Sequence, residues 1–337
     1  MTQTSEAPRV PLLSVEHLTT VFRLADGRDA AAVNDVSFQI GKGETLGLVG
    51  ESGSGKSVTA LSIIRLVTPP GRIAGGRILF EGQDLMAQGE RELQRVRGRR
   101  IGFVFQEPMV ALDPVYTIGY QIAETLMVHG LARGGAARRR AVELLEAVRV
   151  PEPARRAAEY PHQLSGGLRQ RAMLALALAA EPSLVIADEP TTALDVTVQA
   201  EVLDLLRDLR KTFGLSLLLI THDLGVMAEM ADRVAVMYCG RIVEEAPVTE
   251  LLGSPKHPYT RGLLASVPGG RSGERLVAIP GSVPPLGRFG DACPFAPRCA
   301  DRFDPCDKIP PDVAATSIGH DVRCHLYDRT SLIEDHK

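Results

Sequence analysis

The sequence lacks tryptophan and is poor in aromatic residues of every kind, which make up 4% of its 337 residues. That is a low content for a surface that stacks nucleic-acid bases or lies in a membrane interface. An excess of one charge is also missing, because 38 Lys and Arg residues oppose 41 Asp and Glu residues, for a net charge of −3. This balance does not call for nucleic acid or an anionic membrane as a partner.

Long hydrophobic runs are absent as well. The longest, such as residues 173–180 and 215–220, fall far short of the roughly 18 residues that span a bilayer. The start of the chain lacks the basic region and apolar core of a secretory signal. We therefore expect a soluble, cytosolic protein with a flexible tail over residues 1–12.

The remaining composition is that of an ordinary globular protein, with 45% hydrophobic and 23% charged residues. At about 150 residues per domain, the length suggests one large domain with an extension, or two domains. No internal repeat of solenoid period is present. The chain therefore has to be interpreted from its predicted elements and its motifs.

The predicted elements indicate an α/β protein. The N-terminal region favours strands over 13–22, 33–40 and 45–49, followed by a helix over 56–67 that a Pro-Pro-Gly sequence ends. Further along, helices and strands alternate, which favours a parallel sheet covered on both faces. These predicted elements are a helix over 168–180, a strand over 184–188, a helix over 196–212, a strand over 215–220, a helix over 224–231 and a strand over 233–238.

Two regions depart from this alternation. Residues 117–149 carry leucines at helical spacing among Arg, Glu and Ala, which predicts a helical insertion. After about residue 250, proline and glycine become frequent and periodicity fades. We predict an extended linker over 250–290 that leads to a cysteine-rich end.

Residues 50–57, GESGSGKS, fit the phosphate-binding pattern G-x-x-x-x-G-K-[ST] between a predicted strand and a predicted helix. Glycines let backbone N–H groups turn toward phosphate oxygens, and the helix N-terminus adds positive potential. Lys56 is expected to reach the β- and γ-phosphates, and the Ser57 hydroxyl to ligate Mg²⁺. The alternative is an accidental glycine-rich turn. The predicted nucleotide contacts are Gly50, Ser52, Gly53, Ser54, Gly55, Lys56, Ser57 and Val58.

A second motif is the apolar strand that ends in Asp188 and Glu189. Asp188 suits Mg²⁺, and Glu189 suits polarisation of a water that attacks the γ-phosphoryl group. A buried strand with a polar end would be the plain interpretation if the motif stood alone. The glycine-rich loop argues against it, because ligands of α/β sheets bind at the carboxyl ends of the strands.

A third motif, LSGG at residues 164–167, opens the helix predicted to follow it. Its Ser N-cap and exposed N–H groups make a second candidate phosphate site, with an ordinary capped helix as the alternative. The order of the three motifs resembles the ATP-binding cassette (ABC) ATPases over about residues 13–250. This resemblance implies a RecA-like core, an antiparallel β part and a helical insertion over 107–168.

The resemblance also implies roles for single residues. Gln106 looks like the glutamine that senses Mg²⁺ and water, His222 like the histidine that contacts the γ-phosphate, and Asp195 like the aspartate of the D-loop Ala193-Leu194-Asp195. Phe22 falls where the family places an aromatic that stacks on adenine. On local grounds alone, His222 and Phe22 would be core or cap residues.

In this family two cassettes dimerise head to tail, so that Ser165 and Gly167 contact the ATP held by the partner's loop. One cassette per chain therefore implies a second ABC subunit, different or identical, and two transmembrane permeases. Residues 254–260, 279–284 and 293–299 further resemble the tail of the oligopeptide/dipeptide and nickel importer ATPases. That resemblance implies import with the help of an extracytoplasmic peptide-binding protein.

Four of the five cysteines, Cys293, Cys299, Cys306 and Cys324, lie near the C-terminus at the spacing C-x5-C-x6-C-x17-C. In a reducing compartment such a group indicates a metal site before disulfides. The spacing leaves zinc, an iron–sulfur cluster and free thiols open, and the resemblance favours a [4Fe–4S] cluster. Cys239, in a predicted strand, is expected to be a small core residue.

Basic runs at residues 91–100 and 138–140 could indicate a nucleic-acid surface. Acidic neighbours dilute the first run and no aromatics interleave, so we interpret both as solvated helix faces. The favoured function is the ATPase of a peptide importer, peripheral to the cytoplasmic face of the inner membrane, with residues 251–337 as its extension. The alternatives are a soluble ABC ATPase of translation or DNA repair, an importer of nickel or another small solute, and a catalytically silent subunit.

Overall fold

The structure is a computed structural model that describes residues 10–192, 194–266, 278–287 and 292–328. Its strands are β1 (Leu13–Arg23), β2 (Asp29–Ile40), β3 (Thr45–Val49), β4 (Gly71–Phe80), β5 (Gln83–Asp84), β6 (Ile101–Val104), β7 (Leu184–Asp188), β8 (Ser216–Thr221), β9 (Arg233–Tyr238), β10 (Arg241–Pro247), β11 (Val313–Ser317) and β12 (His320–Arg323).

Its α-helices are α1 (Lys56–Ile63), α2 (Glu90–Val96), α3 (Pro108–Ala111), α4 (Ile118–Val128), α5 (Gly134–Ala147), α6 (Pro153–Arg156), α7 (Gly166–Leu178), α8 (Val196–Phe213), α9 (Leu224–Met230), α10 (Val248–Gly253) and α11 (Pro258–Ala265). The chain divides into two compact units. The first holds Met1–Leu13, Ile40–Thr45 and Leu79–Ile220, and the second holds Ser14–Gln39, Leu46–Ile78 and Thr221–Lys337.

The first unit is built on the parallel strands β6, β7 and β8, paired in that order. Every residue of β7 is buried, as its run of Leu, Val and Ile predicts for a strand covered on both faces. Helices α4, α5 and α7 pack together in this unit. The buried side chains of α5 recur at helical spacing, at Ala137, Ala141, Leu144 and Leu145. The helical segment predicted over 117–149 is confirmed.

The second unit contains β3 parallel to β9, with β10, β12 and β11 added antiparallel in that order. Strands β2, β1 and β4 form a further sheet in that order. In β2, Val36, Phe38 and Ile40 are buried and alternate with exposed side chains, as predicted. Helix α1 follows β3 directly, and the loop between them is the glycine-rich motif.

Several sequence predictions need correction. Helix α1 ends at Ile63 and not at 67, because the chain leaves the helical conformation at Arg65, where φ is +53°. Six strands were not predicted: β4, β5, β6, β10, β11 and β12. The stretch expected to be a linker begins with two helices, α10 and α11. Pro258, one of the prolines that suggested an extended linker, occupies the first turn of α11, where a missing N–H costs nothing.

A buried carboxylate explains why β10 was missed. Glu244 interrupts the apolar pattern of this strand and is 1% exposed. Its two carboxylate oxygens accept hydrogen bonds from the backbone N–H groups of Lys256 (2.6 Å) and His257 (2.9 Å), and one lies 2.8 Å from Nε2 of His320. These contacts satisfy a group that would otherwise be costly to bury. None of the helices in the described residues is both long and apolar enough to cross a membrane.

Candidate nucleotide site

The glycine-rich loop of the second unit has the backbone shape that its sequence predicts. Gly53 and Gly55 have φ angles of +79° and +106°, in the region that favours glycine. A Cβ atom on Gly50 would lie 2.2 Å from the carbonyl oxygen of Met237. Glycine is therefore required at these positions by conformation or by close approach of another backbone.

Lys56 and Ser54 are buried within this loop. The Lys56 Nζ atom donates hydrogen bonds to the carbonyl oxygens of Gly50 (2.8 Å) and Glu51 (3.1 Å). The lysine side chain therefore folds back onto the first two residues of its own loop. Among the described residues, nothing forms a hydrogen bond with the Ser54 hydroxyl. A buried hydroxyl without a partner is costly unless a ligand satisfies it, and a phosphate oxygen is an acceptor of the right kind.

Two residues from the C-terminal part of the second unit form hydrogen bonds with Glu51, the second residue of the loop. The Tyr259 hydroxyl oxygen accepts a hydrogen bond from the Glu51 backbone N–H (2.9 Å). The Arg298 guanidinium donates to both carboxylate oxygens of Glu51, at 2.6 and 3.0 Å. The sequence patterns placed Tyr259 and Arg298 in family-like segments but gave neither a role.

His222 and Phe22 also belong to the second unit. His222 lies on the exposed turn after β8, where the Asp223 N–H donates to the Thr221 hydroxyl (3.0 Å) and Asp223 caps α9. Phe22 is half-buried in β1, and its ring lies so close to Gly71 that a Cβ there would be 2.6 Å from Phe22 Cε1. The capped turn fixes the backbone on both sides of His222.

The first unit brings Glu189 and Gln106 together. Gln106 Nε2 donates to Glu189 Oε2 (3.1 Å), and the Thr192 hydroxyl donates to the same oxygen (2.7 Å). Glu189 has a φ angle of +47°, which is uncommon outside glycine, and its N–H donates to the Ile220 carbonyl (2.9 Å). The carboxylate at the end of β7 is thus held in one orientation. Asp188, one residue earlier, is 5% exposed.

The LSGG motif and the following aspartate lie in the first unit as well. Ser165 is exposed, and its hydroxyl oxygen accepts from the Leu168 N–H (3.4 Å) at the start of α7. Asp195 caps α8 through the Val198 N–H (3.0 Å). A Cβ on Gly167 would lie 2.8 Å from Val198 Cγ1, so the motif packs on the helix that Asp195 caps. Ala193, named with Asp195, lies outside the described residues.

The four C-terminal cysteines lie near one another. The Cys293 N–H donates to the Cys306 carbonyl (3.0 Å), and burial raises the pKa of Cys324 to about 12, with further increases from the other three cysteines. Burial also raises the pKa of Cys293 and Cys299, while nearby backbone N–H groups oppose these increases. The thiols of Cys293, Cys299 and Cys324 are therefore protonated at neutral pH.

Comparison with known proteins identifies the family. A family model described as ABC transporter matches residues 33–192. A Brucella abortus (strain 2308) protein described as an ATP-binding protein for peptide import is 51% identical over 329 residues, covering 94% of this chain and 97% of its own length. The chain belongs to the ABC transporter family.

Other comparisons place the chain within this family. The model of the oligopeptide/dipeptide transporter C-terminal region matches residues 243–306, which include Tyr259 and Arg298. A Brucella melitensis biotype 1 protein, also described as an ATP-binding protein for peptide import, is 50% identical and covers 93% of this chain and 94% of its own length. These relatives confirm the predicted family and do not favour the translation or repair alternative.

A solved ABC structure supports the fold. The ATP-binding cassette MJ0796, in a dimeric post-hydrolysis state bound to ADP and Pi, superposes with a TM-score of 0.63 and 29% identity. The match covers 70% of this chain and 98% of that one. The predicted ABC cassette fold is therefore confirmed.

The metal prediction for the ABC chain's C-terminal region is not supported. Across residues 10–328, leaving out 193, 267–277 and 288–291, no group of three or more His, Cys, Asp or Glu side chains is arranged to hold a metal ion. Cys293, Cys299 and Cys306 are close enough to Cys324 to raise its pKa, but the four described side chains are not arranged as a ligand set.

Proposed function

We propose that this chain is the ATP-hydrolysing subunit of an ABC transporter that imports peptides. The observation that carries the proposal is the Glu189 carboxylate, held by Gln106 and Thr192 at the end of a buried strand. It occurs in a chain about half identical, over most of its length, to proteins described as ATP-binding proteins for peptide import. An intact Lys56 and Glu189 argue against a silent subunit.

We assign ATP binding to the glycine-rich loop, from Gly50 to Val58, with Phe22 as the residue for adenine. The buried Ser54 hydroxyl and the positive φ angles of Gly53 and Gly55 support a loop built for phosphate. Mg²⁺, when bound, would offset charge on the phosphates, and family membership supports Ser57, Asp188 and Gln106 as the residues that hold it.

Hydrolysis needs a positioned water and little covalent help from the protein. Glu189 accepts a hydrogen bond from the water, whose oxygen bonds to the γ-phosphorus as the bond from that phosphorus to the β–γ bridging oxygen breaks and ADP leaves. The proton that the water gives up passes to the Glu189 carboxylate and from there to the released phosphate. Gln106 and Thr192 fix the carboxylate for this task. His222 is assigned to the γ-phosphate, with the capped turn around it as support.

A second cassette completes the assembly that we propose. Ser165 is exposed at the start of α7, as is needed for a residue that contacts nucleotide bound to another subunit. Asp195, Gly167 and Ser165 would face that partner, which we propose to be a different ABC chain. This arrangement fits the dimeric state of the MJ0796 cassette.

Membrane subunits account for a further feature of the first unit. Large apolar side chains are exposed on and between α3 and α4. They are Met109, Val110, Val115, Tyr116 and Tyr120. Such a group marks a protein contact, and we assign it to two permeases at the cytoplasmic face of the inner membrane. An extracytoplasmic peptide-binding protein would deliver the substrate.

The test is to purify the tagged chain from gently solubilised membranes and reconstitute what accompanies it in vesicles. We expect two permeases and a second cassette, and ATPase activity that rises when a peptide-loaded binding protein is added. Stimulation by nickel or another small solute, and not by peptides, would replace the substrate class. Recovery with ribosomes or DNA in place of permeases would overturn the proposal.

We further propose a domain division and a structural metal site. Residues 13–250 would form the cassette, with residues 107–168 as its helical insertion, and residues 251–337 the extension. The four side chains are not arranged as a ligand set in the structure, so they would have to turn toward one another on binding. Backbone N–H groups directed at the sulfurs of Cys293, Cys299 and Cys324, together with the closeness of Cys306, are what supports a cluster of thiolate ligands. Binding would release the protons that burial keeps on these thiols.

Protein purified without oxygen should be brown and contain roughly four irons per chain, as expected for a [4Fe–4S] cluster held by four cysteines. Cys324→Ser should lower the iron content and destabilise the extension. Cys239→Ser, which changes a buried cysteine outside the group, is the control and should leave iron unchanged. Colourless protein with one zinc per chain would favour the zinc alternative. Protein that contains neither iron nor zinc would refute the metal site.

A further inference from the structure

Arg298 is buried in the C-terminal region and bound on three sides. Its side chain is 5% exposed. Besides the two bonds to the Glu51 carboxylate, its Nε donates to the Pro280 carbonyl (2.8 Å), and one Nη lies 3.4 Å from the Tyr238 hydroxyl. A bidentate guanidinium–carboxylate pair of this kind fixes both distance and orientation. Arg298 therefore constrains the Glu51 carboxylate more strongly than an exposed ion pair would.

Tyr259 holds the backbone of the same residue. The side chain is fully buried, and its hydroxyl oxygen accepts from the Glu51 N–H. Its ring packs against Tyr238, with centroids 4.6 Å apart, and against Phe295, at 5.4 Å. Phe295 also meets Tyr238 edge-on at 5.3 Å. These three rings anchor the tyrosine and leave its hydroxyl little freedom.

Glu51 is thus held at its carboxylate and its N–H by the C-terminal region, and at its carbonyl by Lys56. We propose that Arg298 and Tyr259 are positioning residues of the nucleotide site, which set the loop for phosphate through Glu51. This inference rests on the proposed ATPase function and extends it to the C-terminal region. It gives that region a direct task in nucleotide binding.

Arg298 also changes the charge of the phosphate-binding loop. The loop that is assigned to the negative triphosphate carries the carboxylate of Glu51 near its start. The Arg298 guanidinium neutralises this carboxylate within hydrogen-bond distance. Without it, an unpaired negative charge would remain in the phosphate-binding loop and repel ATP, since partly buried charges are weakly screened.

The experiment is a double-mutant cycle on the full-length chain, read out by the Kd for a fluorescent ATP analogue. Arg298→Met should weaken binding about tenfold or more, as expected for a lost charge-assisted pair. Glu51→Gln should weaken it less. The double variant should recover to within about threefold of the parental Kd, because the repelling carboxylate is gone. Additive losses, or a parental Kd for Arg298→Met, would overturn the inference.

Controls separate positioning from loss of fold. Arg302→Met removes an exposed guanidinium that pairs with Asp307 in the same region, and it should leave Kd unchanged. Tyr259→Phe deletes only the hydroxyl and should raise Kd about three- to tenfold. It should lower the melting temperature by only a few degrees, because one N–H loses its acceptor while the ring packing stays. If Arg298→Met does not fold, Tyr259→Phe decides the question, and a parental Kd in that variant contradicts the inference.

Two readouts distinguish this inference from the proposed function. In the assembled transporter, Arg298→Met should raise KM for ATP while kcat changes less than about threefold, since Glu189 is untouched. Lys56→Ala is the reference for lost nucleotide binding. If the parental chain neither binds nor hydrolyses ATP, the proposed function fails. If it does both and Arg298→Met has the parental KM, only the positioning role fails.

Discussion

Glu189→Gln should reduce the ATPase rate at least about 100-fold while ATP binding stays at the parental level. Glutamine has nearly the same shape and can still accept through its carbonyl oxygen from Gln106 and Thr192, which donate to Glu189 in the parental protein. What it loses is the negative charge that polarises the attacking water. The substitution should therefore lower the rate of hydrolysis and leave the affinity for ATP unchanged.

The measurement is steady-state ATPase activity of the assembled transporter, paired with the Kd for ATP. Glu143→Gln is the matched control, because Glu143 is an exposed carboxylate of the first unit whose partner is Arg140 (3.0 Å). We expect that control to hydrolyse ATP at the parental rate. A Glu189→Gln variant with parental turnover would show that another group positions the water.

Thr192 offers a finer view of the same carboxylate. Its hydroxyl lies closer to Glu189 Oε2 than the Gln106 amide does, at 2.7 against 3.1 Å. A single Thr three residues after a glutamate has no sequence signal, because the contact depends on the turn that the chain makes after β7. Motif reasoning found the carboxylate but could not find what orients it.

The strands with continuous apolar runs could be predicted from the sequence. β7 and β9 have the predicted bounds, because their side chains are almost all buried and nothing polar interrupts them. α8 was placed to within one residue, since Gly214 follows it with a φ angle of +61° and ends it. Apolar runs and a helix-ending glycine are signals within the segment itself, so elements that depend on them can be predicted from the sequence.

Contacts between distant residues decide the elements and roles that were missed. The buried Glu244 of β10 depends on His320, which is 76 positions away, and Glu51 depends on Arg298, which is 247 positions away. Neither pair gives a periodic pattern or a recognisable motif in a single sequence, because its two members are so far apart in the chain. The glycine-rich loop could be recognised by its motif, but the side chains that hold it could not.

Gly55→Ala should greatly weaken ATP binding and destabilise the protein, because two separate penalties coincide at this position. The φ angle of +106° is strained for any L-residue, and the added Cβ would lie 2.4 Å from the Ala32 carbonyl oxygen and 2.8 Å from Met237 Cε. The methionine can move, but the backbone carbonyl cannot move without shifting β2. The loop must therefore distort just before Lys56.

Gly27→Ala isolates the first of these penalties. Gly27 also has a positive φ, +82°, but its Cβ would meet nothing within 4 Å. We expect Gly27→Ala to cost about 1 kcal/mol of unfolding free energy and to leave the Kd for ATP unchanged. Gly55→Ala should cost about 2–5 kcal/mol, because overpacking adds to the strain, and should raise Kd at least about tenfold. Urea unfolding and nucleotide titration measure the two quantities. Equal losses of stability in both variants would mean that the close approach to Ala32 carries no energy.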